Sequence, residues 1–222
     1  PDVDLYTMSL EQWMSEHAAR YQGTLNFIVA NPPYGERGEF ALKDKHPGYQ
    51  ETKAYQYFML RCSDLLVPRG LGIYVIPAGY LTGTQNRRLR ERMLLRHHLE
   101  VAFRLPSESA KGKPLFPGTR NVVDVLVWRA RGGELGVIDS ADQFILDGRY
   151  FDENPTHILG TEVKPDPKVK RDRYRVIGDF TGFPAFTPRT ACRTCALNDL
   201  PVLTATPVES VVRNLDDAPD DA

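Results

Sequence analysis

The 222-residue chain has little cysteine, three residues in all (Cys62, Cys192 and Cys195). Three thiols make no disulfide framework, and that usage fits a reducing, cytosolic compartment. Cys192-Arg193-Thr194-Cys195 has the spacing of a metal or redox pair. One pair cannot complete a tetrahedral zinc site, and His17, His46, His97, His98 and His157 lie far from it in sequence, so no metal is expected. An excess of one charge is also lacking. Lys and Arg number 28 against 29 Asp and Glu, a formal net charge of -1. Any nucleic-acid contact must therefore come from local patches. No apolar run approaches the ~20 residues of a membrane helix. Pro1-Asp2-Val3-Asp4 has neither the basic nor the apolar region of a signal peptide. An initiator Met is missing, which raises the expectation of a fragment of a longer protein. Glycine is scarce at the front, where Gly23 alone precedes Asn31. No internal repeat is present.

What the chain does have is 41% hydrophobic residues, enough to build a core for one α/β domain and an extension. Its organising stretch is Asn31-Pro32-Pro33-Tyr34. Leu25 to Ala30 (LNFIVA) before it is apolar at five of six positions and predicts a central strand buried on both faces. Neither proline donates an N–H, and the residue before a proline is driven out of the helical region. A polar amide, a stiff turn and an aromatic ring are thus set at the carboxyl edge of a strand, where open α/β sheets bind ligands.

The remaining pattern alternates. Leu5 to Met8 could form a short strand, and Ser9 is a plausible N-cap for a helix reaching Tyr21, with Gln12 completing a capping box. Residues 35–52 are polar and aperiodic, the signature of a long loop beside the site and a candidate lid. Lys53 to Leu66 reads as a helix stopped by Pro68-Arg69-Gly70, then Leu71 to Ile76 as a buried strand. Asn86 to His98 reads as a helix with Arg87, Arg88, Arg90, Arg92 and Arg96 on one face. Strands follow at Leu99 to Leu105 and Asn121 to Trp128, joined by a loop rich in Pro, Gly and Lys. The fold class expected is α/β, a doubly wound, mostly parallel sheet with an antiparallel strand near one edge, followed by a C-terminal extension. Residues 164–175 are strongly basic, and the end of the chain from Asp216 is acidic.

At Asn31-Pro32-Pro33-Tyr34 the chain resembles the amino-methyltransferases that use S-adenosylmethionine, above all the DNA adenine-N6 methyltransferases. The resemblance extends through Tyr55-Gln56-Tyr57-Phe58, Leu66-Val67-Pro68-Arg69-Gly70, Ile73-Tyr74-Val75-Ile76-Pro77 and Leu81. Phe116-Pro117-Gly118-Thr119-Arg120-Asn121-Val122-Val123-Asp124, with Tyr150 to Pro155 and Ile158-Leu159-Gly160, is similar to large phage- and plasmid-borne adenine methylases. The likeness covers roughly residues 5–162 and implies a partial Rossmann-like methyltransferase fold. It implies that Asn31 and Pro32 grip an exocyclic amine, with Pro33 stiffening the turn. It also implies that Tyr34 and Phe116 stack on a base flipped out of duplex DNA. Arg87, Arg88, Lys111 and Lys113 are candidate phosphate contacts.

One part of the family pattern is missing. Such enzymes hold S-adenosylmethionine through a Gly-rich turn and an acidic residue upstream of this motif, and no such turn precedes Asn31. Val176 to Gly182 is the only downstream candidate, and Pro184 and Pro188 stand where its helix should begin. Ser9 and Glu11 are the candidates for a cofactor contact. The expected organisation is residues 1–133 as the C-terminal portion of a catalytic domain, 134–203 as an extension and possible DNA-recognition segment, and 204–222 as a disordered acidic tail. The implied partners are DNA and either the missing N-terminal part or a partner subunit, with no membrane. Methylation of RNA or of a protein glutamine is a rival within the class. A methyltransferase-like module that binds nucleic acid or a partner without catalysis is a rival from outside it.

Overall fold

The computed structural model describes residues 4–116, 119–132, 135–170 and 172–179, all within one compact unit, Pro1–Pro188. Pro117, Gly118, Arg171 and residues 180–222, with Cys192, Cys195 and the acidic tail, lie outside the described residues.

Ser9 opens the first helix as predicted. Its hydroxyl accepts the Gln12 N–H at 3.3 Å, satisfying one of the helix's orphan donors, and α1 runs Leu10–Tyr21. No strand forms at 5–8. Tyr6 instead packs on α1, with ring centroids 6.0 Å from Trp13 and 5.1 Å from His17. Gly23, at φ 65°, turns the chain into β1, Leu25–Ala30.

A one-turn 3-10 helix at Gly38–Leu42 interrupts the long loop. Helix α2 spans Ala54–Ser63 and β2 Leu66–Pro77. The strand starts before Pro68-Arg69-Gly70, which was expected to stop a helix reaching Leu66. Pairing with β1 jumps from Leu25↔Leu66 to Phe27↔Leu71, so these residues bulge out within the strand. Arg69 takes a left-handed φ of 69° there. Helix α3 covers Arg87–Leu94, β3 His97–Arg104 and β4 Val123–Ala130. Short helices α4 (Gln143–Leu146) and α5 (Tyr150–Glu153) lead to the hairpin pair β5 (Thr161–Val163) and β6 (Arg175–Ile177).

The main sheet has the order β1-β2-β4-β3. β1 and β2 are parallel, and β4 runs antiparallel to both β2 and β3. β1, β2 and β3 therefore point the same way, and the reversed strand sits inside the sheet. This is a partial Rossmann-like α/β sheet. Alternation along the strands divides its two faces. Tyr74, Ile76, Leu126 and Trp128 join Met14, Tyr57, Met93 and Ile145 in one core to which all five helices contribute.

On the other face Phe27, Val29, Leu71, Ile73, Val75, Val125 and Val127 are half-buried or exposed, whereas Val101, Val123 and Arg129 toward β3 are buried. β1 is thus neither central nor buried on both faces. It is the outermost strand of the described sheet, with Phe27 55% and Val29 63% exposed. Periodicity marks a strand as apolar on both sides but cannot say whether the layer that would cover it is present.

Candidate functional site

The strand directions gather three segments at one edge. Asn31 follows β1, Ala78-Gly79 follow β2, and the 105–122 connection leaves β3 and returns into β4 there. Asn31 is exposed, Pro32 is buried, Pro33 is exposed and Tyr34 is half-buried. The Tyr34 hydroxyl donates to the Asn31 side-chain oxygen at 3.3 Å. Burial pushes the Tyr34 phenol above its ordinary range, which keeps that donor protonated. The amide is therefore oriented by a partner three residues away across the Pro-Pro turn.

The chain beyond Tyr34 is zipped to the start of α2. Ala54 N–H donates to the Gly35 carbonyl at 2.9 Å, Arg37 N–H donates to Thr52 at 2.8 Å, and Lys53 pairs with Glu36. This neck closes the loop that was expected to be a lid, and its interior is built on buried charges. Arg37, 3% exposed, lies 3.6 Å over the Tyr57 ring. It donates to Glu11 Oε1 at 3.2 Å and to the carbonyls of Tyr49 and Glu51 at 3.2 and 3.1 Å. Asp44 accepts from the Tyr57 hydroxyl at 2.7 Å, Arg61 Nε at 2.9 Å and His46 N–H at 3.0 Å. Burial alone would raise the Asp44 pKa, but these three donors hold it below the usual carboxylate range. The loop is thereby fixed to α1 and α2.

Glu11 and Ser9, the candidates for a cofactor contact, are both engaged in this framework. Glu11 is 4% exposed and faces Arg37, and Ser9 caps α1. The acidic side chain expected to make that contact is therefore already paired with Arg37.

The five arginines around α3 do not form one surface. Arg90 is fully buried and donates to the carbonyls of Leu146, Tyr80 and Gly83 at 3.0, 2.6 and 2.5 Å. Arg92 pairs with Glu51, Arg96 with Asp64 at 3.0 Å, and Arg87 with Asp147. Arg88 stands exposed. Lys111 and Lys113 flank Gly112 at the exposed tip of the 105–122 connection, and Phe116 is half-buried after it. The structure thus gathers Asn31–Tyr34 and the Lys111–Phe116 loop at one edge of the sheet, and it ties Arg87 to the α4–α5 turn instead.

Sequence reading missed the pair that closes that loop. Arg104 and Asp124 face each other across β3 and β4, with Nε–Oδ1 2.8 Å and Nη2–Oδ2 2.9 Å. The available signal was Asp124 itself, a carboxylate inside the apolar run NVVDVLVW that requires a buried partner.

Residues 6–110 match the family model of the Eco57I restriction-modification methylases. The chain is 28% identical over 154 residues to the "Defense against restriction protein B" of Escherichia phage P1, a match covering 64% of the chain and 7% of that protein. It therefore spans a small fraction of the relative's length. Among solved structures, a type I restriction-modification complex has a chain with TM-score 0.38 and 19% identity, over 48% of this chain and 21% of that one. The EcoKI M protein has TM-score 0.36 and 18% identity over 53% and 23%. A Streptococcus mutans protein described as a SAM-dependent methyltransferase has TM-score 0.34 and 18% identity over 55% and 29%.

Proposed function

We propose that this chain is the acceptor-side half of a DNA adenine-N6 methyltransferase of the restriction-modification methylase kind. The observation that carries the reading is the exposed Asn31 amide at the carboxyl edge of β1, its oxygen oriented by Tyr34. The match of residues 6–110 to a restriction-modification methylase model supports it.

The lone pair of an adenine amine is delocalised into its ring. An acceptor that takes one of the amine hydrogens, with a second from the Pro32 carbonyl, draws the nitrogen toward tetrahedral geometry and aims its lone pair. Because the Pro-Pro turn fixes both acceptors beforehand, little reorganisation is needed at reaction. Tyr34 stacks on the extruded base, and Phe116 closes its other face. The methyl donor is held by residues outside those described, which belong to the same protein or to a partner subunit. The half-exposed apolar face around Phe27 and Val29 is where that half packs.

Asn31→Ala in the full-length protein is expected to lower incorporation of labelled methyl into DNA by about a hundredfold or more, with DNA binding retained. Undiminished incorporation would refute the role of Asn31. A non-catalytic binding module is the second reading, favoured by the missing donor cradle. Full-length protein that binds DNA but transfers no methyl to DNA, RNA or protein would establish it. The isolated chain is expected to bind S-adenosylmethionine weakly or not at all by calorimetry.

A further inference from the structure

The residues after β4 read as a separate recognition segment, yet they grip the loop that carries Lys111, Lys113 and Phe116. Ser107 N–H donates to the Val176 carbonyl at 2.8 Å, and Gly178 N–H donates to Glu108 at 3.0 Å. Arg173 pairs with Glu108. Glu108 is bridged in parallel to Ile177 and antiparallel to Pro114, so both arms of the loop are tied to the β6 side of the hairpin through Glu108. At the loop's stem, Arg104 ends β3 and Asp124 lies at the start of β4, so their bidentate bond closes the mouth of the connection.

Arg104 reaches further than this pair. Its Nη1 donates to the Tyr174 hydroxyl at 3.1 Å and its Nη2 to Thr82 Oγ1 at 3.1 Å. Its carbonyl accepts Leu159 N–H at 2.9 Å. Its guanidinium carbon lies 4.1 Å from the centre of the Phe151 ring. One side chain, 3% exposed, thus joins the loop's stem, the segment after β2 and the extension. A planar fork with five donors can hold such a node, and an ammonium cannot.

We propose that Arg104 is a positioning residue, linked through Tyr174 to the C-terminal extension, that fixes the Lys111–Phe116 loop against the Asn31 edge so that a flipped base is held for reaction. This rests on the proposed methyltransferase reading. The extension is then a brace for the base-holding loop, and its state is felt at the reacting edge.

The test uses Tyr174→Phe, which removes one hydroxyl from a half-buried site and keeps the ring, alongside Arg104→Lys, in the full-length protein. Two readouts are taken. Hydrogen exchange at residues 107–116 is expected to quicken severalfold in both variants at an unchanged melting temperature for Tyr174→Phe. On duplex DNA, Tyr174→Phe is expected to raise KM about fivefold and to reduce the fluorescence of a 2-aminopurine placed at the target adenine. A mismatched target, which costs less to extrude, should restore much of the loss. A merely structural role would not give mismatch rescue. Unchanged loop exchange overturns the brace. Quickened exchange with wild-type KM and fluorescence overturns the positioning role. If wild-type protein methylates no DNA, the methyltransferase reading fails, and the positioning role falls with it whatever the exchange result.

Discussion

At the scale of single residues, the proposed function gives Tyr34 two jobs that one substitution separates. Its ring would stack on the base, and its hydroxyl orients the Asn31 amide. Tyr34→Phe keeps the first and removes the second. A single hydrogen bond of this kind contributes about 1 kcal/mol, so kcat is expected to fall roughly fivefold with KM little changed, measured by steady-state methyl transfer of the full-length protein. His97 supplies a second test at this scale. Its ring is 4% exposed, 3.3 Å from the Met93 carbonyl and 3.5 Å from that of Ser63. Burial pushes its pKa down to about 4 from the ordinary 6.5. The unfolded chain therefore binds a proton that the folded chain refuses. The stability from neutral His97 is complete above about pH 6.5 and is lost as pH falls toward 4, by up to about 3 kcal/mol. Urea midpoints at pH 7.5, 5.5 and 4.5 should fall in that order, and His97→Gln should flatten the trend.

Among the elements, α3 shows how a charged pattern misleads. Its arginines at helical spacing suggest a phosphate-facing surface, yet Arg87, Arg90 and Arg92 hold other segments of the chain and Arg88 stands exposed. Arg90 ties the end of α4 to the turn after β2, where Gly83 N–H also donates to the Gly148 carbonyl at 3.0 Å. That approach leaves no room at Gly148, where a Cβ would lie 2.2 Å from the Gly83 oxygen. Arg90→Met strips three carbonyls, two of them buried, of a charged donor. It is expected to destabilise the chain by about 3 kcal/mol or more, read as a shift in the denaturation midpoint, whereas Arg88→Met should shift it by less than about 0.5 kcal/mol. Helix and strand positions were largely legible because apolar periodicity and caps are local. Ser9 capped α1 as predicted, and the Pro-Pro step ended β1 in place. Destinations of long polar side chains were not legible. Arg37 meets Glu11 26 residues away, and Arg104 meets Tyr174 70 residues away.

For the whole molecule, the decisive feature is a sheet whose helices serve one core while the opposite face stays half-exposed on its β1–β2 side. Phe27 and Val29 sit on the outermost strand of the described sheet, and contiguous apolar surface beside an open strand edge favours association. The isolated chain is expected to self-associate in a concentration-dependent way by analytical ultracentrifugation. Val29→Lys should reduce that association without lowering the melting temperature. On the proposed function, the same substitution in the full-length protein should impair packing of the donor-holding half and reduce methyl transfer.

The sequence by itself determined the α/β alternation and the strand that ends in Asn31-Pro32-Pro33-Tyr34. These follow from local sterics and from hydrophobic period, which any short window of sequence contains. Only the tertiary structure decided that the antiparallel strand lies inside the sheet, that β1 is half-exposed, and that Arg87, Arg90 and Arg92 of α3 and the acid of α1 are committed to holding loops. It also decided that Arg104 and Asp124 close the connection bearing Phe116. Those outcomes depend on which buried charges find partners across long stretches of chain, and a buried charge is stable only once its partner has been placed.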